Sequence, residues 1–545
     1  MNRIPHFVFP LGTAVLLLLS FPKWDQFYLA WFSLLPLFIF CSDRHLSRKN
    51  LFWGGLATGI IFFFFLYAYM IYSLDFFFPR YFGILIVVVS ALYSALFLGI
   101  FALGFAYFYK QKRPLLLVLS VPALWVVLEY LRSLGLLGHT GGYLGYSQTL
   151  YPFLLQSTAL YGYWGLSFLM VLFQTTLFLF LHPLLKKKGA GKEEGDGGKD
   201  GSEVGSEDRV EDGSKRKPKA LWAPSGYALL IFLALFLGGS YLPALFPVEE
   251  REAPLHIALL QGNISQEIIL DPDQAKNNFQ RYLELTREAA REHENLHLVV
   301  WPETVLSTSV QNRFPEAEEK LEELAEETGA ALFFGAMYKD TDSGDAYNSI
   351  LMQSPGMPFG TEGRYDKIRL VPFAEYFPFP QVLNRFWELE VALGSYKPGE
   401  EIQLFSVEES VIGGIICFES YFPRPALTMA QKGAEHIFVL TNDAWFLDSN
   451  GLEQHARASA VRAVETGRGV TQVANTGYTV SYNYRGEKVL ELPTHQKGFA
   501  LLETGFPVRE TLYRRWGDYF LFLCLGLLAA STILALPRRP EKNKK

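Results

Sequence analysis

Cysteine and histidine are scarce in this chain: its 545 residues include three cysteines and ten histidines. Cys417 is the only cysteine between residues 250 and 515, so this stretch has no internal disulfide. Its unpaired thiol is either a small core residue or a nucleophile. No Cys/His group has the spacing of a zinc site, and the sequence predicts no metal and no other cofactor. The formal net charge of -6 does not indicate nucleic-acid binding.

Long apolar runs, by contrast, are abundant, and eight of them predict membrane-spanning helices. Most approach or exceed the ~20 residues that cross ~30 Å of hydrocarbon. They cover residues 5–21, 26–41, 51–74, 82–108, 115–132, 153–182, 226–245 and 519–536. The first is expected to be a retained span and not a signal peptide, because no small-residue cleavage site follows it. The sequence therefore predicts a polytopic α-helical membrane domain with seven helices in residues 1–245.

Lys and Arg are concentrated after the second, fourth and sixth runs and in the C-terminal tail. The positive-inside rule makes these connections and the N-terminus cytoplasmic. Seven crossings then place residues 250–515 outside the cytoplasm, and 516–545 form the last helix and a basic cytoplasmic tail. Residues 185–219, rich in Gly, Glu and Lys, predict a disordered cytoplasmic insert.

Residues 250–515 have the mixed composition of a water-exposed domain and alternate between strand and helix patterns. The predicted strands are LHIALLQGN, LHLVVWPE, ALFFGAMY, YNSILMQ, SVIGGIICFE and HIFVLTNDAWF. Helical patterns cover residues 273–292, 314–329 and 453–468. This alternation predicts an α/β domain whose sheet is covered by helices.

Three of the predicted strand or loop ends carry reactive side chains. Glu303 follows VVWP, Lys367 lies in a loop eight residues before Glu375, and Cys417 and Glu419 end a buried strand. Taken singly, each has a structural explanation: core packing for the thiol, solvation for Glu303, and a surface ion pair for the lysine. Taken together, they supply a general base, an oxyanion-stabilising cation and a nucleophile for attack on a carbonyl.

Several motifs carry a resemblance to a known family. WPE, YDKIRLVPFAEYFP and GGIICFES together resemble the nitrilase superfamily, whose catalytic set is Glu-Lys-Cys. TNDAWF, FPKWDQFYLAWFSLLPLF and EYLRSLGLLGHTGGYLGYSQ narrow the resemblance to the apolipoprotein N-acyltransferases of the bacterial inner membrane. The resemblance covers nearly the whole chain apart from the 185–219 insert and the tail. It implies a nitrilase-like αββα sandwich for residues 250–515.

The resemblance also implies roles for the reactive residues. Cys417 becomes the acylated nucleophile, Glu303 the general base and Lys367 the oxyanion-stabilising cation. Glu375 is expected to orient the lysine, and Glu419 to hold the cysteine loop.

Further positions match the supporting set or the substrate-side rim of the site. They are Asn348, Trp445, Phe418, Gly145 and Tyr146. Two positions depart from the family pattern: Phe418 stands where many members have Tyr, and Leu270 where members often have Trp.

The implied reaction moves an acyl chain from a phospholipid to Cys417 as a thioester, and then to the α-amine of the N-terminal cysteine of a diacylated lipoprotein. The implied partners are the phospholipid donor, the lipoprotein acceptor and membrane lipids, without nucleic acid. The implied setting is a monomer in the bacterial inner membrane with its catalytic domain on the periplasmic side. The aromatic loops FAEYFPFP and AWFLDSN either partition into the bilayer interface or pack locally.

Two other functions remain open from the residues alone. In a membrane-anchored amidase or nitrilase, water would resolve the same acyl-enzyme, although a simple anchor needs only one span. A transporter or receptor with an external sensing domain would usually place ionisable residues within its spans. Here Glu129 and Arg132 lie at the outer end of one span, where they either pair with each other or lie near the lipid entrance.

Overall fold

The first half of the molecule is a bundle of apolar helices. The computed structural model describes residues 5–76, 78–135, 137–190, 219–249, 253–306, 315–376 and 396–536. The helices are α1 (Val8–Leu19), α2 (Leu35–Cys41), α3 (Arg48–Tyr67), α4 (Tyr69–Leu74), α5 (Arg80–Lys110), α6 (Pro114–Arg132), α7 (Pro152–Leu155), α8 (Thr158–Ala190) and α9 (Lys219–Tyr241).

All eight predicted apolar runs contain helix, but they differ in length. Five described helices are long and apolar enough to cross a membrane: Arg48–Tyr67, Arg80–Lys110, Pro114–Arg132, Thr158–Pro183 and Gly226–Leu245. Three apolar segments are shorter: Val8–Leu19, Phe27–Cys41 and Tyr519–Ala535. The number of spans therefore remains a prediction.

Two predicted spans are interrupted. The run 51–74 is divided at Ala68, where α3 gives way to the short helix α4. The run 153–182 begins with the single turn of α7, and Gly162 in α8 has a φ of 64°, which breaks the helix near its start. The predicted insert 185–219 lies mostly outside the described residues, although α8 continues to Ala190.

The second half is built on fourteen described strands and seven described helices. The strands are β1 (Val248–Glu249), β2 (Leu255–Gln261), β3 (Leu298–Val300), β4 (Ala331–Lys339), β5 (Ala346–Gln353), β6 (Arg364–Asp366), β7 (Leu404–Val407), β8 (Ser410–Ile416), β9 (His436–Thr441), β10 (Gly469–Ala474), β11 (Thr479–Tyr482), β12 (Lys488–Leu492), β13 (Gly498–Thr504) and β14 (Val508–Arg509). The helices are α10 (Gln266–Leu270), α11 (Ala275–Glu292), α12 (Pro315–Thr328), α13 (Pro423–Gln431), α14 (Asn450–Thr466), α15 (Leu512–Trp516) and α16 (Tyr519–Ala535).

Twelve of these strands form two six-stranded sheets that pack face to face, and β1 pairs with β14 in a separate two-stranded sheet. One has the order β13-β2-β3-β4-β5-β6 and the other β12-β11-β10-β9-β8-β7. Phe333 of the first sheet contacts Phe405 and Phe438 of the second, with ring centroids 5.1 and 5.9 Å apart. At Gly414 a Cβ atom would lie 2.6 Å from the Phe333 ring, so glycine allows this close approach.

Helices cover the outer faces of both sheets. The amphipathic helices α11 and α12 pack their apolar stripes, including Leu283 and Leu321, around the buried Trp301 beside the first sheet. Helices α13 and α14 pack against the second sheet. The predicted αββα sandwich is confirmed.

Helix α14 also joins the two halves of the molecule. Its residues Ala460, Val461 and Val464 belong to the same apolar core as Tyr163 and Trp164 of the helical bundle. The sandwich is thus packed directly onto the membrane helices.

Polar contacts reinforce this junction. The carbonyl of Tyr421 accepts hydrogen bonds from Thr140 Oγ1 at 3.1 Å and from the Tyr146 hydroxyl at 2.9 Å. Arg369 donates to the Ser133 carbonyl at 2.8 Å. The bonds to Tyr421 fix the loop that follows Cys417 against the bundle, and the Arg369 bond fixes the loop that carries Lys367.

Glu129 and Arg132 are each held by other groups at the outer end of α6. The Arg132 guanidinium donates to the Tyr67 hydroxyl at 3.1 Å and to the Gly141 carbonyl at 2.8 Å. The Glu129 carboxylate accepts the Leu144 N–H at 2.8 Å. Both residues therefore hold the loop after α6 in place.

Candidate active site

Strand ends from both sheets converge on one point. Glu303 follows β3, Lys367 follows β6 and Cys417 follows β8. Cys417 has a φ of 49°, in the left-handed region that non-glycine residues seldom occupy. This backbone turns the chain sharply at the strand end, and such strain is concentrated at functional sites.

The lysine ammonium lies between two carboxylates. Lys367 Nζ is 2.9 Å from Glu375 Oε1 and 3.3 Å from Glu303 Oε1, and the lysine is 1% exposed. Burial opposes the charge, but the nearby Glu375 and Glu303 carboxylates outweigh it and raise the pKa of Lys367 above its ordinary value. The lysine is therefore a fixed cation in a site with little water.

The side chain of Asn348 bridges the two carboxylates. Its amide donates to Glu303 Oε1 and to Glu375 Oε1, both at 2.8 Å. The other oxygen of Glu303 accepts the backbone N–H of Asn442 at 3.1 Å. The position of the proposed base is thus set by three neighbours.

Glu419 organises the chain around the cysteine. Its Oε2 accepts the Ile416 N–H at 2.9 Å, and its Oε1 accepts the N–H groups of Ile368 and Arg369 at 2.9 and 3.0 Å. The Tyr365 hydroxyl donates to the same carboxylate at 2.9 Å. Glu419 therefore ties the residue before Cys417 to the loop that carries Lys367.

The thiol of Cys417 is 8% exposed. Burial raises its pKa well above the ordinary value, the negative charge of Glu303 adds to this, and Lys367 acts in the opposite direction. A thiol whose pKa is raised in this way needs a base to become a nucleophile.

A cavity that is partly open to solvent lies next to the thiol. Its walls combine the reactive residues Glu303, Lys367, Glu375 and Cys417 with helix α4 of the helical bundle. Helix α4 contributes Tyr69, Met70, Ser73 and Leu74, and the sandwich also contributes Val371, Pro372, Phe418, Tyr421, Trp445 and Phe446. Most of these side chains are apolar. The cavity is therefore suited to an apolar ligand.

Two of the four predicted rim residues line the cavity, and the other two lie outside its described lining. Trp445 and Phe418 line the cavity, and the Phe418 ring lies 5.6 Å from the His139 ring. Gly145 and Tyr146 are not among the described residues that line it. The Gly145 N–H donates to Ser167 Oγ at 3.1 Å, and the Tyr146 hydroxyl donates to the carbonyl of Tyr421, a residue of the cavity wall, at 2.9 Å.

The departure at Leu270 lies at the end of α10, also outside the described lining of the cavity.

Sequence reasoning missed Asp443 and His455, which lie beside the nucleophile. His455 Nδ1 is 2.8 Å from Asp443 Oδ1, and its Nε2 is 3.0 Å from the Cys417 carbonyl oxygen. Asp443 lies in TNDAWF and His455 in the predicted helix 453–468, so both motifs were visible. The missing signal was the pairing of β8 with β9, which brings the two strand ends together.

Within the described residues, Cys417, Asp443 and His455 bring ligand-type atoms within 4.8 Å of one another. Both ring nitrogens of His455 already face oxygen acceptors, so neither offers a free lone pair to a metal ion. The absence of a metal or cofactor from the reaction stays a prediction.

Comparisons with known proteins agree with this geometry. Residues 256–502 match the carbon-nitrogen hydrolase family, and residues 13–176 match the apolipoprotein N-acyltransferase N-terminal domain. The chain belongs to the apolipoprotein N-acyltransferase family. This membership confirms the family predicted from the sequence motifs.

Relatives named apolipoprotein N-acyltransferase match along almost the whole chain. The one from Geobacter metallireducens is 29% identical over 534 residues, covering 97% of this chain and 94% of that protein. The one from Thermotoga maritima is 28% identical, covering 96% and 93%. The one from Haemophilus influenzae is 26% identical, covering 99% and 97%. These relatives therefore match both the helical half and the sandwich half of this chain.

Proposed function

We propose that this chain moves a fatty acyl chain from a membrane phospholipid, through a thioester on Cys417, to the α-amine of the N-terminal cysteine of an apolipoprotein. One observation carries the proposal. A buried thiol, a carboxylate and a fixed ammonium group meet in an apolar cavity that is partly walled by helix α4 of the membrane half. Acyltransferase activity is the activity of the family to which the chain belongs.

In the first half-reaction the Glu303 carboxylate removes the proton of Cys417. The sulfur attacks the ester carbonyl carbon, and the Lys367 ammonium stabilises the oxyanion of the tetrahedral intermediate. The C–O bond then breaks, the proton passes from Glu303 to the departing lysophospholipid oxygen, and a thioester remains on the sulfur.

In the second half-reaction the amine of the acceptor attacks the thioester carbonyl. Glu303 accepts a proton from the amine, the C–S bond breaks, and the proton returns to the sulfur of Cys417. The same base and the same cation thus serve both steps, and the enzyme is regenerated.

The setting of the reaction belongs to the same proposal. The distribution of Lys and Arg supports a multi-pass protein of the bacterial inner membrane whose sandwich lies on the periplasmic side. Its partners are then a phospholipid donor, a diacylated lipoprotein acceptor and the surrounding lipids. We propose that it works as a monomer, since one chain supplies every residue of the site.

The test is the covalent intermediate. Purified full-length enzyme incubated with phospholipid alone should gain one acyl mass on the peptide that contains Cys417. Neutral hydroxylamine should remove it, and Cys417→Ser should never acquire it. Cys41→Ser is the matched control, because this cysteine is buried in α2 and should leave the adduct unchanged.

Adding a diacylated lipopeptide should then discharge the thioester faster than water does. Equal rates with and without the lipopeptide would make the protein a hydrolase instead. An adduct on another residue, or transfer without an adduct, would contradict the role of Cys417.

A further inference from the structure

The carbonyl oxygen of Cys417 is held by a buried pair of side chains that the proposed reaction does not use. His455 Nε2 lies 3.0 Å from this oxygen, and His455 Nδ1 lies 2.8 Å from Asp443 Oδ1. Both His455 and Asp443 are 0% exposed. Buried titratable pairs this close to a nucleophile are typical of functional sites.

The hydrogen bonds determine the protonation state of the imidazole. The Cys417 carbonyl can only accept. Asp443 is likewise an acceptor, because its carboxylate also receives the Thr441 hydroxyl at 2.7 Å and the Gln472 amide at 3.2 Å. A neutral imidazole has one N–H and would leave one of these contacts unpaired, whereas an imidazolium donates to both. His455 is therefore a cation.

The electrostatic surroundings agree with this assignment. Burial lowers the pKa of His455, but the Asp443 carboxylate and the Cys417 carbonyl outweigh burial and leave the pKa above its ordinary value. Glu303 adds to the same effect. The Tyr421 phenol ring stacks on the imidazole, with ring centroids 5.3 Å apart. Other titratable groups that line the same cavity as His455 include Lys367, Glu375, Tyr69 and His139.

The place of this cation matters for two reasons. Cys417 has a left-handed φ of 49°, a strained conformation that persists only when neighbouring groups impose it. The hydrogen bond to its carbonyl is such a constraint. In addition, ligand-type atoms of His455, Asp443 and Cys417 all lie within 4.8 Å of one another, so the imidazolium charge is close to the sulfur. The Asp443 carboxylate is equally close, and its charge raises the pKa of Cys417, so the imidazolium offsets it.

We propose that Asp443 and His455 form a positioning pair, in which an imidazolium held by Asp443 fixes the Cys417 backbone and stabilises the thiolate that forms when Glu303 removes the proton. The inference rests on the proposed role of Cys417 as the nucleophile. Neither residue exchanges a proton with the substrate in this scheme. Their effect reaches the reaction only through the cysteine.

The test measures the thiol directly. The full-length enzyme in detergent is treated with iodoacetamide at pH values from 6 to 10, and alkylation of the peptide that contains Cys417 is followed by mass spectrometry. His455→Gln should shift the alkylation profile to higher pH and slow alkylation at pH 7.5 by tenfold or more. Asp443→Asn, which removes the partner of the imidazolium but also a carboxylate that raises the pKa of Cys417, should shift the profile in the same direction by a smaller amount. A change in packing alone would alter the rate without this shift in its pH dependence.

His436→Gln is the matched control. His436 is also a buried histidine of this domain, but its Nε2 faces the Thr471 hydroxyl at 2.8 Å, and burial lowers its pKa to about 3. It is neutral, and its replacement should leave the alkylation profile of Cys417 unchanged. Thermal unfolding of each variant shows whether it is folded.

A second measurement needs no variant. In wild-type enzyme labelled with 15N-histidine, solid-state NMR should show an imidazolium signal that persists at pH 8. Only neutral signals at that pH, or a wild-type alkylation profile in both folded variants, would overturn the proposal. Alkylation requires no acyl donor, so a shifted profile in an enzyme that never forms a thioester would refute the proposed function and leave the positioning pair intact.

Discussion

The ammonium group of Lys367 lies 2.9 Å from the carboxylate of Glu375. Because Glu303 is also within 3.3 Å, the lysine has a carboxylate on two sides and little freedom to leave the site. Its charge is retained at all physiological pH values, since the carboxylates raise its pKa despite burial. A cation held in this way needs no reorganisation when an oxyanion forms.

Replacing this cation should abolish most activity. Lys367→Met keeps the length of the side chain and removes the charge, so we expect acyl transfer to fall by ~10²–10³. Lys397→Met is the control, because Lys397 forms an exposed ion pair with Asp345 at 3.5 Å. Rates of thioester formation in the two purified variants test the prediction, and equal rates would exclude Lys367 from the reaction.

Removing the base should slow the first half-reaction specifically. Glu303→Gln preserves the shape of the side chain but cannot take the thiol proton, and we expect thioester formation to fall by ~10²–10⁴. Glu503→Gln on strand β13 is the matched change at an exposed carboxylate. Rapid-quench measurement of the Cys417 adduct compares them. An unchanged rate in Glu303→Gln would assign the base to another group.

The Tyr365 hydroxyl should stabilise the cysteine loop through Glu419. Tyr365→Phe deletes one hydrogen bond to a buried carboxylate, which typically costs about 1.5–3 kcal/mol. We expect a lower unfolding temperature and a smaller loss of activity than in Lys367→Met. Tyr347→Phe on the neighbouring strand β5 is the comparison, since it leaves Glu419 untouched. Identical melting curves for the two variants would remove this role from Tyr365.

The junction of the two halves should weaken as pH rises. Burial raises the pKa of Glu465 to about 7, although Arg462 Nη2, 2.9 Å away, acts in the opposite direction. Because the folded protein binds this proton more tightly than the unfolded chain does, the stabilisation is complete below pH ~4. It is lost as pH rises through 7, by about 3 kcal/mol.

Glu465→Gln removes this titration and should flatten the decline in unfolding temperature between pH 5 and pH 8. Glu453→Gln, which changes a partly exposed carboxylate paired with Arg457, should keep the wild-type slope. The measurement is thermal unfolding in detergent at several pH values. A slope unchanged by Glu465→Gln would show that this carboxylate does not titrate in that range.

The orientation in the membrane is also testable. Reporter fusions at residue 200 should be cytoplasmic, and fusions at residue 400 should be periplasmic, because the positively charged connections lie on one side. Alkaline phosphatase and green fluorescent protein report the two compartments. An active phosphatase fusion at residue 200 would reverse the proposed topology.

Local motifs were sufficient to predict the residues that meet at the reaction centre. Glu303 and Cys417 follow recognisable strands, Asn348 occupies one, and Lys367 was predicted in a loop. The strands beside them belong to two different sheets, and the packing of these sheets brings the four residues together. The three-dimensional arrangement then adds the contacts among them.

Other features could not be read from local pattern. Asp443 and His455 act on Cys417 through the pairing of two strands, and sequence periodicity does not give strand order. Strand β12, KVLEL, has half-exposed and exposed residues and lacks a clear buried face, so it was not predicted. Gly145 and Tyr146 lie in a matching motif, but they support the loop behind the cavity and do not line it.

The carbonyl oxygen of Tyr421 accepts hydrogen bonds from the hydroxyls of Thr140 and Tyr146 in the helical half. It also accepts one from the Arg462 guanidinium in the sandwich, at 3.3 Å. This single oxygen lies four residues after the nucleophile. A sandwich excised as a water-soluble fragment would lose two of these three donors. It would also lose the apolar surface of the helical bundle against which α14 packs. Such a fragment would therefore make a poor catalyst, and engineering of this enzyme for new acyl chains has to keep both halves in one piece.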